Sequence, residues 1–236
     1  MKTQALYLDD SYLKEIDAKI IFSEFTDMTV DRSVFYPTTY GQPNDTGKII
    51  IDGKEYGIVD VIYDGEYIHL ISLDTYPKDA AGKIVHQVIN WDIRFTHMKF
   101  RSALRIISGI AFKKFGVPSR INETYDDRAW IDIEKDDMKD EEAKEIMDEA
   151  NEIVKNNVEI KTKYISQDEY MNNEDLRKLG IHEDFGSDRV RLVGIGELPF
   201  QPDFGTHVKK TGEIGEIKYK TSKIKGKISN RITINF

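Results

Sequence analysis

The chain has 236 residues, 39% hydrophobic and 32% charged, which is enough to bury one large core or two smaller ones. Its formal net charge of −8 disfavours indiscriminate nucleic-acid binding, and the lack of any cysteine excludes disulfides, thiolate catalysis and the softest zinc ligand. No apolar run approaches the roughly 20 residues that span a bilayer, and MKTQALYLDD turns acidic too early for a secretory signal, so the expectation is a cytoplasmic protein with no membrane partner.

The first 85 residues read as short strands. Asp52 and Gly53 separate KIII from KEYGIVDVI, and Asp64 and Gly65 separate VIY from EYIHLI. Each pair suits a two-residue hairpin turn, because glycine takes the positive φ such a turn demands. Strands without a helical period predict a small barrel-like domain over 1–85. The pattern changes near Gly82–His86, and 86–236 is expected to be an α+β domain, an antiparallel sheet with two helices on one face. Phe95, Met98, Leu104, Ile107, Ala111 and Phe115 recur every three or four residues and predict a helix from about Asp92 to Phe115, stopped by Gly116 and Pro118. A second helix is expected over about Lys139 to Asn156, its acidic start DDMKDEEAKE facing the positive end of the helix dipole. AWIDIE, VEIKTKYIS, RVRLVGI and a lysine-rich pair near the end read as strands, with Ile232, Ile234 and Phe236 on one buried face.

Charge is uneven along this order. Residues Val208 to Phe236 hold eight Lys/Arg against two Glu, a basic strip on an acidic body. Lys209, Lys210, Lys218, Lys220, Lys223, Lys225 and Lys227 suit one oriented contact with a phosphate backbone. The plainer alternative is a strand edge kept soluble by lysine.

Three segments carry a resemblance. FYPTTYGQPNDTG (35–47) resembles FYPTGGGQPxDxG, INWDIRFTHMKFRSALRII (89–107) is similar to IDWxxRxxHMxxHTALHLL, and FQPDFGTHVKKTGEIGEIK (200–218) is similar to QPCGGTHVxxTGEIGxIK; all three patterns belong to the AlaX family of alanyl-tRNA editing proteins. NEIVKNNVEIKTKYIS and the terminal KIKGKISNRITI fit as well, so nearly the whole chain is covered. The resemblance implies a barrel-like domain followed by an α+β editing domain. It also implies trans-editing: hydrolysis of the ester of alanine tRNA mischarged with serine or glycine, a translation-fidelity function with tRNA, not DNA, as partner.

Family members bind zinc through HxxxH on a helix and CxxxH on a loop, spacings that put both ligands of each pair on one side. In this chain Arg101 and Arg105 stand at the helix positions and Asp203 at the cysteine, leaving His207 alone of the four. A guanidinium offers no lone pair, so no zinc and no other cofactor is expected, with Asp203 and His207 as weak metal candidates. Two arginines and one aspartate carry the same +1 as zinc with one thiolate and two imidazoles, and an Arg fork pairs well with a carboxylate. Arg101 and Arg105 are therefore expected to clamp Asp203, joining helix to loop.

The resemblance also places Gly41, Gln42, Pro43, Ser102, Thr206 and His97 at substrate-binding positions, although Thr39 and Tyr40 replace two glycines and TYGQP also reads as a plain loop turn. His97 reads equally as a packed or capping residue; His69, His86 and His182 fit no pattern. Two functions remain open. In one, a hydrolase edits without zinc, with His207 as the base and Arg101, Arg105 and Asp203 completing the catalytic group. In the other, a non-catalytic paralogue grips acceptor ends or a small anionic ligand.

Overall fold

The computed structural model describes residues 2–119, 121–180, 188–223 and 230–236. It resolves into two compact units, Met1–His97 and Met98–Phe236. The architecture is α+β, as expected.

The first unit is a closed antiparallel barrel of six strands: β1 (Glu15–Glu24), β2 (Asp27–Val30), β3 (Gly47–Ile51), β4 (Lys54–Tyr63), β5 (Ile68–Ser72) and β6 (Ile84–Ile89), in the order β1-β2-β5-β4-β3-β6. Closure removes every free edge from the sheet. Along β4, Tyr56 and Ile58 face the core two residues apart, and Val61 follows after three. A β-bulge between Ile58 and Asp60 absorbs the extra residue. β6 pairs with both β1 and β3, so a boundary at residue 85 would cut through a barrel strand; the compact unit runs on to His97.

Asp52 (φ 49°) and Gly53 (φ 81°) make the expected tight turn between β3 and β4. The connection at Asp64 is longer than two residues, since Tyr63 pairs with Ile68. The Asp64 carboxylate accepts the amides of Glu66 at 2.8 Å and Tyr67 at 2.7 Å, so a side chain, not a glycine-led turn alone, shapes the corner.

A buried ion pair holds the loop carrying TTYGQPND. Asp45 is inaccessible to solvent, and its carboxylate receives Arg94 Nε at 2.9 and 3.1 Å, a further contact from Arg94 Nη2, and the Tyr36 amide at 2.6 Å. Arg94 spends its other donors on the carbonyls of Ser11 (3.0 Å) and Val34 (2.6 Å). Truncating Asp45→Ala strands a buried guanidinium, and urea titration should show a loss of about 3–5 kcal/mol. Replacing both partners by apolar residues of similar volume should cost far less; equal losses in the two variants would contradict this account.

The second unit takes in most of helix α1 (Trp91–Phe115) and two antiparallel sheets. The first sheet orders β7 (Asn122–Thr124), β8 (Ala129–Ile133), β12 (Lys218–Lys223) and β13 (Asn230–Asn235) as β12-β13-β8-β7, and the second orders β9 (Ile160–Ser166), β10 (Arg189–Ile195) and β11 (Gln201–Pro202) in sequence. Among the described residues there are thus two sheets where one was expected. Helix α2 (Asp140–Lys155) buries Ala143, Ile146, Met147, Ala150 and Val154 at helical spacing. Two short helices, α3 (Gln167–Met171) and α4 (Glu174–Leu179), were not anticipated; Ser166 and Glu169 cap the first reciprocally and the Asn173 side chain caps the second. Every residue of α1 from Phe100 to Ala111 is buried, including Arg101, Ser102, Arg105 and Ser108. Polar residues inside a wholly buried helix need partners.

Candidate functional site

The site in the second unit is built from α1 and the loop after β11. Arg101 and Arg105 lie four residues apart, hence on one helix face. Asp203 lies between their guanidinium groups and is itself buried. Arg101 approaches side-on, with Nε 3.1 and 3.0 Å from the two carboxylate oxygens and Nη2 2.9 Å from Oδ1. Arg105 Nε lies 2.9 Å from Oδ2, but its N–H is not aimed at the oxygen, so this contact is an ion pair and not an aligned hydrogen bond. The Gly205 amide adds a donor at 2.6 Å. A Cβ on Gly205 would sit 2.7 Å from Arg101 Nε and 2.9 Å from Asp203 Oδ1, so only glycine lets the loop come this close.

His207 completes the cluster. Its Nδ1 lies 3.2 Å from Ser102 Oγ, which also accepts the Val208 amide at 3.2 Å. With that lone pair taken, the serine O–H can donate to Nδ1, which leaves the proton on Nε2, 3.4 Å from Asp203 Oδ2. Burial pushes the His207 pKa down to about 4, with Arg191 and Arg101 adding to the effect and Asp203 opposing it. The imidazole is neutral at pH 7. Burial alone would raise the pKa of Asp203, but Arg101, Arg105 and His207 together hold it well below the usual carboxylate range. Burial, with Arg101 adding and Asp203 opposing, lowers Arg105 to about 10, still protonated at neutral pH.

Sequence reasoning missed two partners. Arg191 of β10 donates from Nη1 to the carbonyls of Asp203 (2.8 Å) and Gly205 (3.0 Å), bracing the loop's backbone. Asn122 of β7 accepts from Arg101 Nη1 at 3.3 Å. A buried arginine in the apolar run RVRLVGI was the available signal for the first; nothing local marks the second.

The structure therefore brings Arg101, Ser102, Arg105, Asp203, Thr206 and His207 into one neighbourhood, with Thr206 fully buried beside His207. Gly41, Gln42 and Pro43 belong to the other unit, where Thr39 and Gln42 exchange backbone hydrogen bonds (3.1 and 2.9 Å) across Tyr40 and Gly41. Tyr40 has φ 49°, a left-handed conformation glycine would adopt without steric cost. His97 is buried at the end of that unit. His69 lies 3.0 Å from Asp27 and 3.2 Å from Asp64, and His86 lies 2.8 Å from Asp17. Lys209, Lys210, Lys218, Lys220 and Lys223 are exposed, and strand alternation puts Lys223 on the opposite face of β12 from Lys218 and Lys220. Lys225, Lys227 and His182 lie outside the described residues.

The donor set does not fit zinc. Guanidinium groups stand at the two helix positions, and the oxygens of Asp203 are taken up by N–H groups. Among the described residues no group of three or more His, Cys, Asp or Glu side chains could hold a metal.

Residues 190–233, which hold β10, β11 and the site loop, match the model described as "Threonyl and Alanyl tRNA synthetase second additional domain". The chain is 32% identical to the alanyl-tRNA editing protein AlaX-M of Methanosarcina acetivorans over 98% of its own length and 97% of that protein's. It is 31% identical to the AlaX-M protein of Saccharolobus solfataricus over the same shares, and 31% identical to the alanine–tRNA ligase of Pyrococcus furiosus over 92% of this chain but 24% of the ligase. The chain belongs to the AlaX family of alanyl-tRNA editing proteins.

The ionisation of the cluster makes stability depend on pH. An unfolded His207 takes up a proton near pH 6.5, whereas the folded imidazole resists until about 4, so stability falls as pH drops through that window, by on the order of 3 kcal/mol if complete. Asp203 adds a further loss below the ordinary carboxylate range. His69 acts with the opposite sign: burial lowers its pKa, but Asp64 and Asp27 raise it overall. The informative quantity is thus the difference between wild type and His207→Gln in urea midpoints at pH 7, 5.5 and 4.5. The variant should show the flatter dependence, and parallel curves would rule out His207 as the source.

Proposed function

We propose that this protein is an aminoacyl-tRNA deacylase that clears serine or glycine from alanine tRNA without using zinc. The observation that carries the reading is the match to an alanyl-tRNA editing protein over 98% of this chain and 97% of the Methanosarcina acetivorans protein. The helix-to-loop link supports it: the ion pairs of Asp203 with Arg101 and Arg105 join the same positions that would carry the family's ligands, so the scaffold is kept with different chemistry.

Ester hydrolysis needs the acceptor end positioned, a water activated and charge on the carbonyl oxygen stabilised. His207 is the proposed base: it is unprotonated at neutral pH, and its lowered pKa makes it a weaker base than an exposed imidazole. Arg105 is the cation placed to meet developing negative charge. In the second unit Ser102 and Thr206 are the proposed contacts for the aminoacyl group; in the first, Gly41, Gln42 and Pro43 are proposed contacts for the tRNA. A second reading is favoured by one observation: both His207 ring nitrogens face protein partners, and the side chain is 3% exposed. On that reading His207 only braces the loop, and the protein binds charged tRNA without cleaving it.

Deacylation of seryl-, glycyl- and alanyl-charged alanine tRNA decides between them. The hydrolase reading expects the first two to be cleaved and the third spared, with activity unchanged by a chelator and elemental analysis finding less than stoichiometric zinc. His207→Ala should slow cleavage by about 10²-fold or more while leaving tRNA affinity unchanged. Binding of mischarged tRNA with no cleavage by wild type would establish the second reading.

The tRNA contact is assigned to the exposed lysines from Lys209 to Lys223, with Lys225 and Lys227 extending the same strip in the sequence. A few neutralised phosphates release enough counterions for affinity to fall about tenfold or more between 50 and 200 mM salt. The double variant Lys218→Glu, Lys220→Glu should weaken binding and flatten that dependence. Unaltered salt dependence would place the contact elsewhere.

A further inference from the structure

Arg105 is the least satisfied charged group in the site. Its side chain is 1% exposed, and among the described residues Nη1 and Nη2 meet no hydrogen-bond acceptor. Asp203 cannot supply one. Its Oδ1 already receives Arg101 Nε, Arg101 Nη2 and the Gly205 amide, while its Oδ2 faces Arg101 Nε, Arg105 Nε and His207 Nε2. Gln201 does not help either, since its amide nitrogen donates to the Arg105 carbonyl (2.7 Å), a backbone group. A second donor in the cluster is in the same position. Asn122 is 6% exposed; its oxygen is turned toward Arg101, and among the described residues its Nδ2 meets no acceptor. The amide cannot be flipped without turning its N–H groups toward a guanidinium.

Burying donors without acceptors is costly, and more so when the donor is charged. Among the described residues what is left over here is mainly donors, one of them cationic, with the Gln201 amide oxygen as the one unpartnered acceptor beside them. That is the complement of an oxygen-rich anion, which accepts hydrogen bonds and offers none, and a planar guanidinium edge meets two oxygens at once.

We infer that Arg105 and Asn122 form a buried site for a small oxyanion, placed where the family would hold a metal cation. The ligand is either a free anion of the phosphate class or an oxygen of the aminoacyl-adenosine end that reacts on the proposed function. The site exists on either source and does not require the protein to be a hydrolase.

The probe is inorganic phosphate, titrated into wild-type protein at constant ionic strength and equilibrated overnight, because the guanidinium is buried. Wild type should show a saturable rise in Tm and broadening of the phosphorus resonance. Arg105→Met should lose the saturable response, and because it also removes one partner of the Asp203 ion pair its stability without phosphate is recorded separately. Asn122→Ala should bind about tenfold more weakly. If Arg105→Met does not fold, the resonance broadening on wild type and its loss in Arg105→Lys, which keeps the charge but not the fork, carry the test. A non-hydrolysable amide analogue of seryl-adenosine separates the sources: competition with phosphate assigns the site to the substrate's oxygens, and independence assigns it to a free anion. Absence of any saturable response in wild type, or an undiminished one in Arg105→Met, would overturn the inference. Deacylation assays contain no phosphate titration, so failure of either proposal leaves the other standing on its own measurement.

Discussion

One carboxylate organises the second unit. Asp203 sits between two guanidinium groups from α1, and the loop that bears it takes its path from that contact. Gly205 must lack a side chain because Arg101 passes so near, and Arg191 holds the loop's carbonyls because Asp203 has drawn the chain inward. The His207 imidazole faces the same carboxylate, and this contact, with Ser102 on its other nitrogen, sets its tautomer. A metal would have imposed a tetrahedral arrangement of lone pairs. The ion pairs instead surround one carboxylate with N–H groups from two guanidinium groups and a backbone amide.

Such a cluster is not an efficient source of stability. Removing several charges from water costs nearly what their attraction returns, and well-packed hydrophobic residues would serve the fold at least as well. What the arrangement supplies is geometry, since a helix face and a loop are held at hydrogen-bonding distance. It also supplies a local positive potential in a low-dielectric setting, where a charge acts strongly on its neighbours. The resistance of His207 to protonation down to about pH 4 belongs to that environment and not to the residue.

Much of the fold was legible because it is written locally. The period of three and four along α1 and α2, the turn at Asp52 and Gly53, and the alternation of Ile232 and Ile234 are each contained in a short window of sequence. The longer corner at Asp64 escaped because it depends on a side chain bonding the backbone amides of Glu66 and Tyr67. Helix α3 escaped although Ser166 and Glu169 spell a capping box, for it is too short to show a period. In the site, the substituted ligand positions pointed to the Asp203 clamp. The pairing of Asp45 with Arg94 and the approach of Asn122 to Arg101 join residues far apart in sequence, and no window contains both partners. Both Asp45 and Arg94 stood inside the matched motifs without an assigned role, so the letters were visible while the bond was not.

The separation of 102 residues between Arg101 and Asp203 bears on the order of assembly. A contact closing so long a loop forms only after the entropy of bringing its ends together has been met, and during synthesis only after the distant partner exists. Until then the guanidinium groups of α1 have no counter-charge at this position, and burying them would be strongly unfavourable. The helix therefore stays hydrated on that face while the barrel, complete in the first 97 residues, is free to close. Dehydration of the arginines is thereby tied to arrival of the C-terminal segment, so a chain lacking that segment retains an open, charged helix face in place of a finished core.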